Sequence, residues 1–271
     1  MKRALIFTVL FSIVIPLKAC LICIIQDENK VLVGNHEDWY AKDSQVTFRP
    51  QGERNNKYGM VFFGFASEGG AQGGMNTEGL FFDGTISPYV PIDQSDKIIF
   101  DGYLYEEILG NAASIEEVVV YLKKYEVTGI EEVHLMFADR TGSYVIVNAY
   151  EGKLNFHYKD SPFKVLTNFN INNPHYGNEP TCMRFTLANS ILEEEGEATV
   201  ENVKNVLENT TQEALTVYSN IYDLTEGEVY VYWERNFDIE IKINLSEELQ
   251  LGSRSILLED LVKNTIQSLK K

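Results

Sequence analysis

From Cys20 to Ile25 every residue is apolar, and after the polar break Asp27-Glu28-Asn29-Lys30 the apolar run resumes at Val31-Leu32-Val33. A short unbroken apolar run predicts a strand covered on both faces, and the four-residue break predicts a turn, so the two runs form a hairpin. The chain after Val33 therefore returns toward Cys20. Residues 46–48, 60–65 and 79–85 read as further strands. The glycine-rich stretch 69–74 lies between two of them, where backbone is expected to approach backbone or ligand closely. Ser114-Ile115-Glu116-Glu117 is a capping box, and Ile115, Val118, Val119 and Leu122 then share one helical face. Residues 133–137, 144–149, 154–158 and 164–167 read as strands, the first three joined by tight turns at Asp139-Arg140-Thr141-Gly142 and Glu151-Gly152. After Pro180 a helix is predicted, with Met183, Leu187, Ala188, Ile191 and Leu192 as its apolar stripe. Residues 200–207 and 256–269 form two more amphipathic helices. Strands in two antiparallel blocks, each followed by helices, predict α+β architecture: two sheets stacked face to face with helices outside, in one domain spanning 20–271.

Residues 1–19 stand apart. Lys2 and Arg3 precede an apolar stretch from 4 to 16 that is too short to anchor in a bilayer, and Ala19 supplies a small residue before Cys20. This is the pattern of a secretory signal peptide cut after Ala19, which implies an exported, periplasmic or extracellular protein. The 271 residues are 44% hydrophobic and 23% charged, an ordinary globular composition. Without residues 1–19 the chain carries 20 Lys+Arg against 40 Asp+Glu, a formal charge of −20. Such a surface repels phosphate backbones and anionic headgroups, which excludes nucleic acid as a partner.

Three cysteines, Cys20, Cys23 and Cys182, cannot form a disulfide framework and leave at least one thiol free. Cys20 admits three readings. As a lipoprotein cysteine it would carry lipid and no chemistry, but Lys18 sits where a small or apolar residue is expected, and no polar tether follows. As half of a redox or metal pair with Cys23 it is poorly placed. Three residues of strand span about 10 Å, beyond disulfide reach, and their odd spacing sends the two side chains to opposite faces. Cys23 reads as a small core residue. As an N-terminal nucleophile, Cys20 would gain its own α-amine as general base once Ala19 is cut away.

That chemistry needs a carboxylate to hold the amine, donors for the oxyanion and a cation near sulfur. Asp38, at the end of the returning hairpin strand, is within reach of the new terminus. Asn168, where the strand Val165-Leu166-Thr167 stops, offers an amide donor. Arg184, just off the apolar stripe of its helix, offers the cation.

Taken in order, Cys20 after a signal, G-N-H-E-D-W (34–39), Q-G-G-M-N-T-E-G-L-F-F-D-G (72–84), V-L-T-N (165–168) and M-R-F (183–185) resemble one group of N-terminal nucleophile hydrolases. This is the choloylglycine hydrolase and acyl-CoA:6-aminopenicillanate acyltransferase group, which includes penicillin V acylases, bile salt hydrolases and linear-amide hydrolases. The likeness runs to about Leu192 and is weak beyond. It implies an αββα four-layer sandwich. It implies Cys20 as nucleophile and base, Asp38 as orienter of the amine, Asn168 as oxyanion donor and Arg184 as the cation beside the cysteine. It also implies a small acyl-amide as substrate, cleaved by hydrolysis or acyl transfer, and neither metal nor organic cofactor. The chain departs from the bile salt hydrolase pattern at three positions. Asn35 stands where arginine would be, His36 where asparagine would be, and Ile86 where the second oxyanion donor would be. Bile salts are therefore not the expected substrate. The amide of Asn76 or a backbone N–H near Thr85 is the expected substitute donor, and Asn35 and His36 are further candidates for substrate contact. His36 at a strand end reads first as a satisfied hydrogen-bonding residue.

Overall fold

The computed structural model describes residues 20–172, 182–213 and 215–269; the expected signal peptide and Pro180 lie outside them. In chain order the elements are β1 (Leu21–Gln26), β2 (Val31–Asp38), β3 (Ser44–Arg49), β4 (Met60–Phe65), β5 (Gly73–Asn76), β6 (Phe81–Ile86), α1 (Leu104–Asn111) and α2 (Ile115–Lys124). They continue with β7 (Val133–Ala138), β8 (Tyr144–Tyr150), β9 (Lys153–Tyr158), β10 (Phe163–Leu166), α3 (Met183–Glu195), α4 (Val200–Thr210), β11 (Thr216–Asp223) and β12 (Glu228–Trp233). The last are β13 (Ile241–Asn244), α5 (Leu245–Leu249), β14 (Arg254–Leu257) and α6 (Leu258–Leu269).

Two antiparallel sheets result, one of six strands in the order β10-β1-β2-β11-β12-β13 and one of eight in the order β14-β3-β4-β5-β6-β7-β8-β9. Alternation along β1 explains its apolar run. Ile22 and Ile24 enter the core between the sheets, while Leu21, Cys23 and Ile25 face α3 and α4 on the other side. The outer face of the eight-stranded sheet buries Phe82, Leu135, Phe137 and Val145 under α1 and α2. The layers are thus helix, sheet, sheet, helix, as expected. Close packing of α4 on β2 requires glycine at 34, where a Cβ would lie 2.6 Å from Val203 Cγ1.

Several elements differ from expectation. The predicted helix 256–269 begins only at Leu258, because residues 254–257 alternate half-buried and exposed and pair as an edge strand with β3. Met183 and Leu187 are exposed, by 83% and 41%, and the buried residues of α3 are Ala188 and Leu192, with half-buried Arg184 one turn before them at the same spacing of four. Arg184 is therefore in line with the buried residues, not beside them. In the capping box Ser114 Oγ accepts from Glu117 N, but Glu117 reaches back to Ala113 N instead of the cap residue itself. The sequence pattern predicts no element between 207 and 256, where β11, β12 and β13 complete the six-stranded sheet.

Candidate active site

The hairpin sets the site. Leu21 pairs with His36, so one step along the same antiparallel register Cys20 faces Glu37. Alternation on β2 then divides its last residues. Asn35 and Glu37 point between the sheets, and His36 and Asp38 point toward the helices. A register shift between Thr216 and Tyr218 on β11 aims Thr216 at Asp38 and leaves Tyr218 opposite Glu37.

On the helix side, Asp38 is fully buried. Thr216 Oγ1 donates to its Oδ1 at 2.5 Å, and Arg184 Nη1 donates to its Oδ2 at 2.7 Å. Burial raises the Asp38 carboxyl above its usual range, and the Arg184 charge and the Thr216 hydroxyl offset only part of that rise. Arg184 Nη2 reaches the Cys20 carbonyl at 3.3 Å and Asn168 Oδ1 at 3.5 Å. Arg184 thus joins Cys20, Asp38 and Asn168 into one cluster, although α3, β1, β2 and the end of β10 are far apart in sequence. It touches the backbone of Cys20, not the sulfur.

Asn168 Nδ2 donates to Ile86 O at 2.8 Å, and Thr85 Oγ1 donates to Thr167 O at 3.2 Å. These two bonds tie the end of β6 to the end of β10. The second N–H of Asn168 has no partner among the described residues.

A cavity of about 380 Å³ beside Cys20 is lined by Cys20, Glu37, Trp39, Asp83, Thr85 and Tyr105, among others. It lies within the range of small-molecule sites. Cys20 is 5% exposed, and its Sγ donates to Glu37 Oε1 at 3.9 Å. Burial pushes the thiol well up, and the nearby Glu37 and Asp38 charges push the same way. Glu37 and Asp83 are both buried, and burial drives both carboxyls well above their usual range. Gly73 on β5 makes room for Asp83, since a Cβ there would meet its carboxyl at 2.5 Å. The glycine stretch thus brings backbone against a side chain at the site. The sequence reading singled out neither Glu37 nor Asp83. The alternation of β2, combined with the hairpin register, was the signal that pointed to Glu37.

His36 faces away from the cavity. Thr210 Oγ1 donates to Val206 O, so it accepts from His36 Nε2–H, and Ser219 Oγ donates to Nδ1. Burial first, then Arg184, lowers this imidazole to about 3. It is a neutral, fully bonded ring. Asn35 donates to Asp83 Oδ2 at 2.6 Å and does not line the cavity. Asn76 is not an oxyanion donor. Its Nδ2 donates to Leu109 O and Ala112 O at 2.8 and 2.7 Å, and its Oδ1 accepts from Glu78 N and Leu80 N, which fastens the β5–β6 turn to α1. Asn76→Ala is expected to cost about 3 kcal/mol of stability in urea unfolding and to leave kcat unchanged. Among the described residues no group of three or more His, Cys, Asp or Glu is arranged to hold a metal ion.

Residues 25–186 match the model of the linear amide C–N hydrolases, choloylglycine hydrolase family. The chain belongs to this family. Members cleave amide C–N bonds, so this is an amidase- or acylase-type hydrolase with the N-terminal nucleophile fold. Solved structures share that fold. A conjugated bile acid hydrolase variant from Clostridium perfringens is 18% identical, with TM-score 0.67 over 88% of this chain and 96% of that one. Penicillin V acylase from Agrobacterium tumefaciens is 18% identical, with TM-score 0.68 over 84% and 86%. The Caenorhabditis elegans ortholog of N-acylethanolamine-hydrolyzing acid amidase is 16% identical, with TM-score 0.59 over 76% and 93%. No curated protein sequence matches.

Proposed function

We propose that this family member is exported, is cut between Ala19 and Cys20, and cleaves a small linear acyl-amide through an acyl-enzyme on the Cys20 sulfur. The observation that carries this reading is Arg184, which ties Asp38 and Asn168 to the backbone of Cys20, a residue that lines the cavity. While Cys20 follows Ala19 its nitrogen is an amide and cannot serve as a base, and burial beside the Glu37 and Asp38 carboxyls holds its thiol protonated, so the uncut chain is inert. Cleavage supplies an α-amine with an ordinary pKa near 8 on the same residue. The Asp38–Arg184 pair holds the residue's backbone so that this amine takes the thiol proton.

The thiolate attacks the amide carbon, and the second N–H of Asn168 donates to the oxyanion. The α-ammonium gives its proton to the leaving amine as the C–N bond breaks. Water then loses a proton to the α-amine and attacks the thioester, releasing the carboxylic acid and restoring the thiol. An amine in place of that water gives acyl transfer by the same route. Burial of the sulfur at the start of a core strand favours a free thiol over a lipid anchor.

Asn168→Ala is expected to lower kcat about 10²-fold or more with little change in KM, as loss of an oxyanion donor does. Steady-state kinetics checks it, and a KM effect alone would remove Asn168 from this role. The function itself is tested by assaying a panel of chromogenic acyl-amides with protein that starts at Cys20. No turnover of any of them would count against it.

A further inference from the structure

Glu37 meets the reacting atom and has no part in the mechanism above. We propose that Glu37 is a further catalytic residue, its protonated carboxyl hydrogen-bonded to the Cys20 sulfur at rest and during attack. The proposal rests on the reading of Cys20 as nucleophile.

Glu37 stands opposite Cys20 one step beyond the Leu21–His36 pair, and its Oε1 accepts from Sγ at 3.9 Å. The groups facing it are Cys20 on β1, Asp38 beside it on β2, Asp83 on β6, and Tyr218 and Tyr222 on β11. Among the described residues no Lys, Arg or His lines the cavity, and Arg184 and His36 work on the opposite face of β2. The Cys20 α-amine that cleavage frees is neutral when it is ready to take the thiol proton, and in that form of the site two buried carboxyls without a side-chain cation cannot both ionise. Asp83 is the better hydrogen-bonded of the two. It accepts from Asn35 Nδ2 and from Gly84 N, each at 2.6 Å. Glu37 has only the thiol and the Tyr218 hydroxyl, the latter at 3.5 Å. The remaining proton therefore sits on Glu37.

That proton decides whether the sulfur can ionise. A carboxylate about 4 Å away, at an effective dielectric of about 20, would lower the thiolate population about 10³-fold. A neutral carboxyl imposes no such charge, and its O–H turns to donate to the thiolate once the α-amine has taken the thiol proton. The proton passes from thiol to α-amine to leaving amine, and Glu37 neither gains nor loses one. Activity is thus present while Glu37 is protonated and falls as rising pH ionises it.

The test is the pH dependence of kcat/KM for protein starting at Cys20, with Glu37→Gln, Glu37→Ala and Asp83→Asn. Glutamine cannot ionise and still donates. Its kcat/KM at acid pH is expected to fall only severalfold, against about 10²-fold for alanine, and its alkaline decline is expected to vanish. Removing the Asp83 charge makes Glu37 easier to ionise, so Asp83→Asn is expected to move the alkaline decline to lower pH. Glutamine no better than alanine, or an alkaline limb unmoved in both Glu37→Gln and Asp83→Asn, overturns the proposal. If Cys20→Ala is inactive in the same assay, that result leaves the nucleophile assignment standing. If Cys20→Ala is active, the assignment itself fails.

Discussion

Alanine at position 20 is expected to abolish amide hydrolysis, lowering kcat at least about 10⁴-fold, because it removes the atom that carries the acyl group. The cost to the fold should be small. The side chain is short, and its Sγ makes one long hydrogen bond, at 3.9 Å to Glu37. Serine in its place keeps an oxygen where sulfur was, but the α-amine deprotonates a hydroxyl far less readily than a thiol, so turnover should be greatly slowed and not lost. Single-turnover assays with a chromogenic amide, alongside thermal melts, measure both effects. Retained steady-state activity in Cys20→Ala would remove the covalent mechanism.

The second large effect is expected at Asp38. Its carboxylate has two jobs: it anchors Arg184 at 2.7 Å and, through it, the Cys20 carbonyl. Asp38→Ala removes the carboxylate from beside a guanidinium whose side chain is only 14% exposed. Breaking such a pair costs about 3–5 kcal/mol, and in a chain of this size that lowers Tm by roughly 10 °C. Activity should fall about 10³-fold, since the α-amine and Asn168 both lose their common support. The full burial of Asp38 makes both effects expected. Asp38→Asn separates them: it keeps the shape and the Thr216 contact, so it should recover part of the stability and little of the rate. Recovery of the rate would mean that Asp38 acts through shape alone.

The legible parts of this site were those fixed by local pattern. The apolar run and turn after Cys20 gave the hairpin, and the hairpin brings Asp38 near position 20. His36 was read as a bonded ring, and the ring is satisfied by Ser219 and Thr210. The illegible parts depend on contacts between distant segments. β11 is wholly buried at the centre of its sheet, yet Thr216, Ser219 and Asn220 interrupt its apolar pattern. Two of those polar residues are there to bond Asp38 and His36, so the features that hid the strand are the ones that serve the site. Asn76 was a candidate donor by motif alone, and only the position of α1 reveals that all its bonds are structural. Glu37 was obscured by its neighbours. In G-N-H-E-D-W the strand alternation assigns adjacent residues to opposite faces, and the motif by itself names only one of them.

The central claim is that a cysteine freed at the N-terminus carries the acyl group. Its most direct test is mass spectrometry of the exported protein, acid-quenched after mixing with an acyl-amide. The account predicts a chain that begins at Cys20 and bears one acyl group as a thioester on that residue. A chain that retains residues ahead of Cys20 and turns over the amide equally well, or a Cys20 sulfur already blocked by lipid, would contradict it.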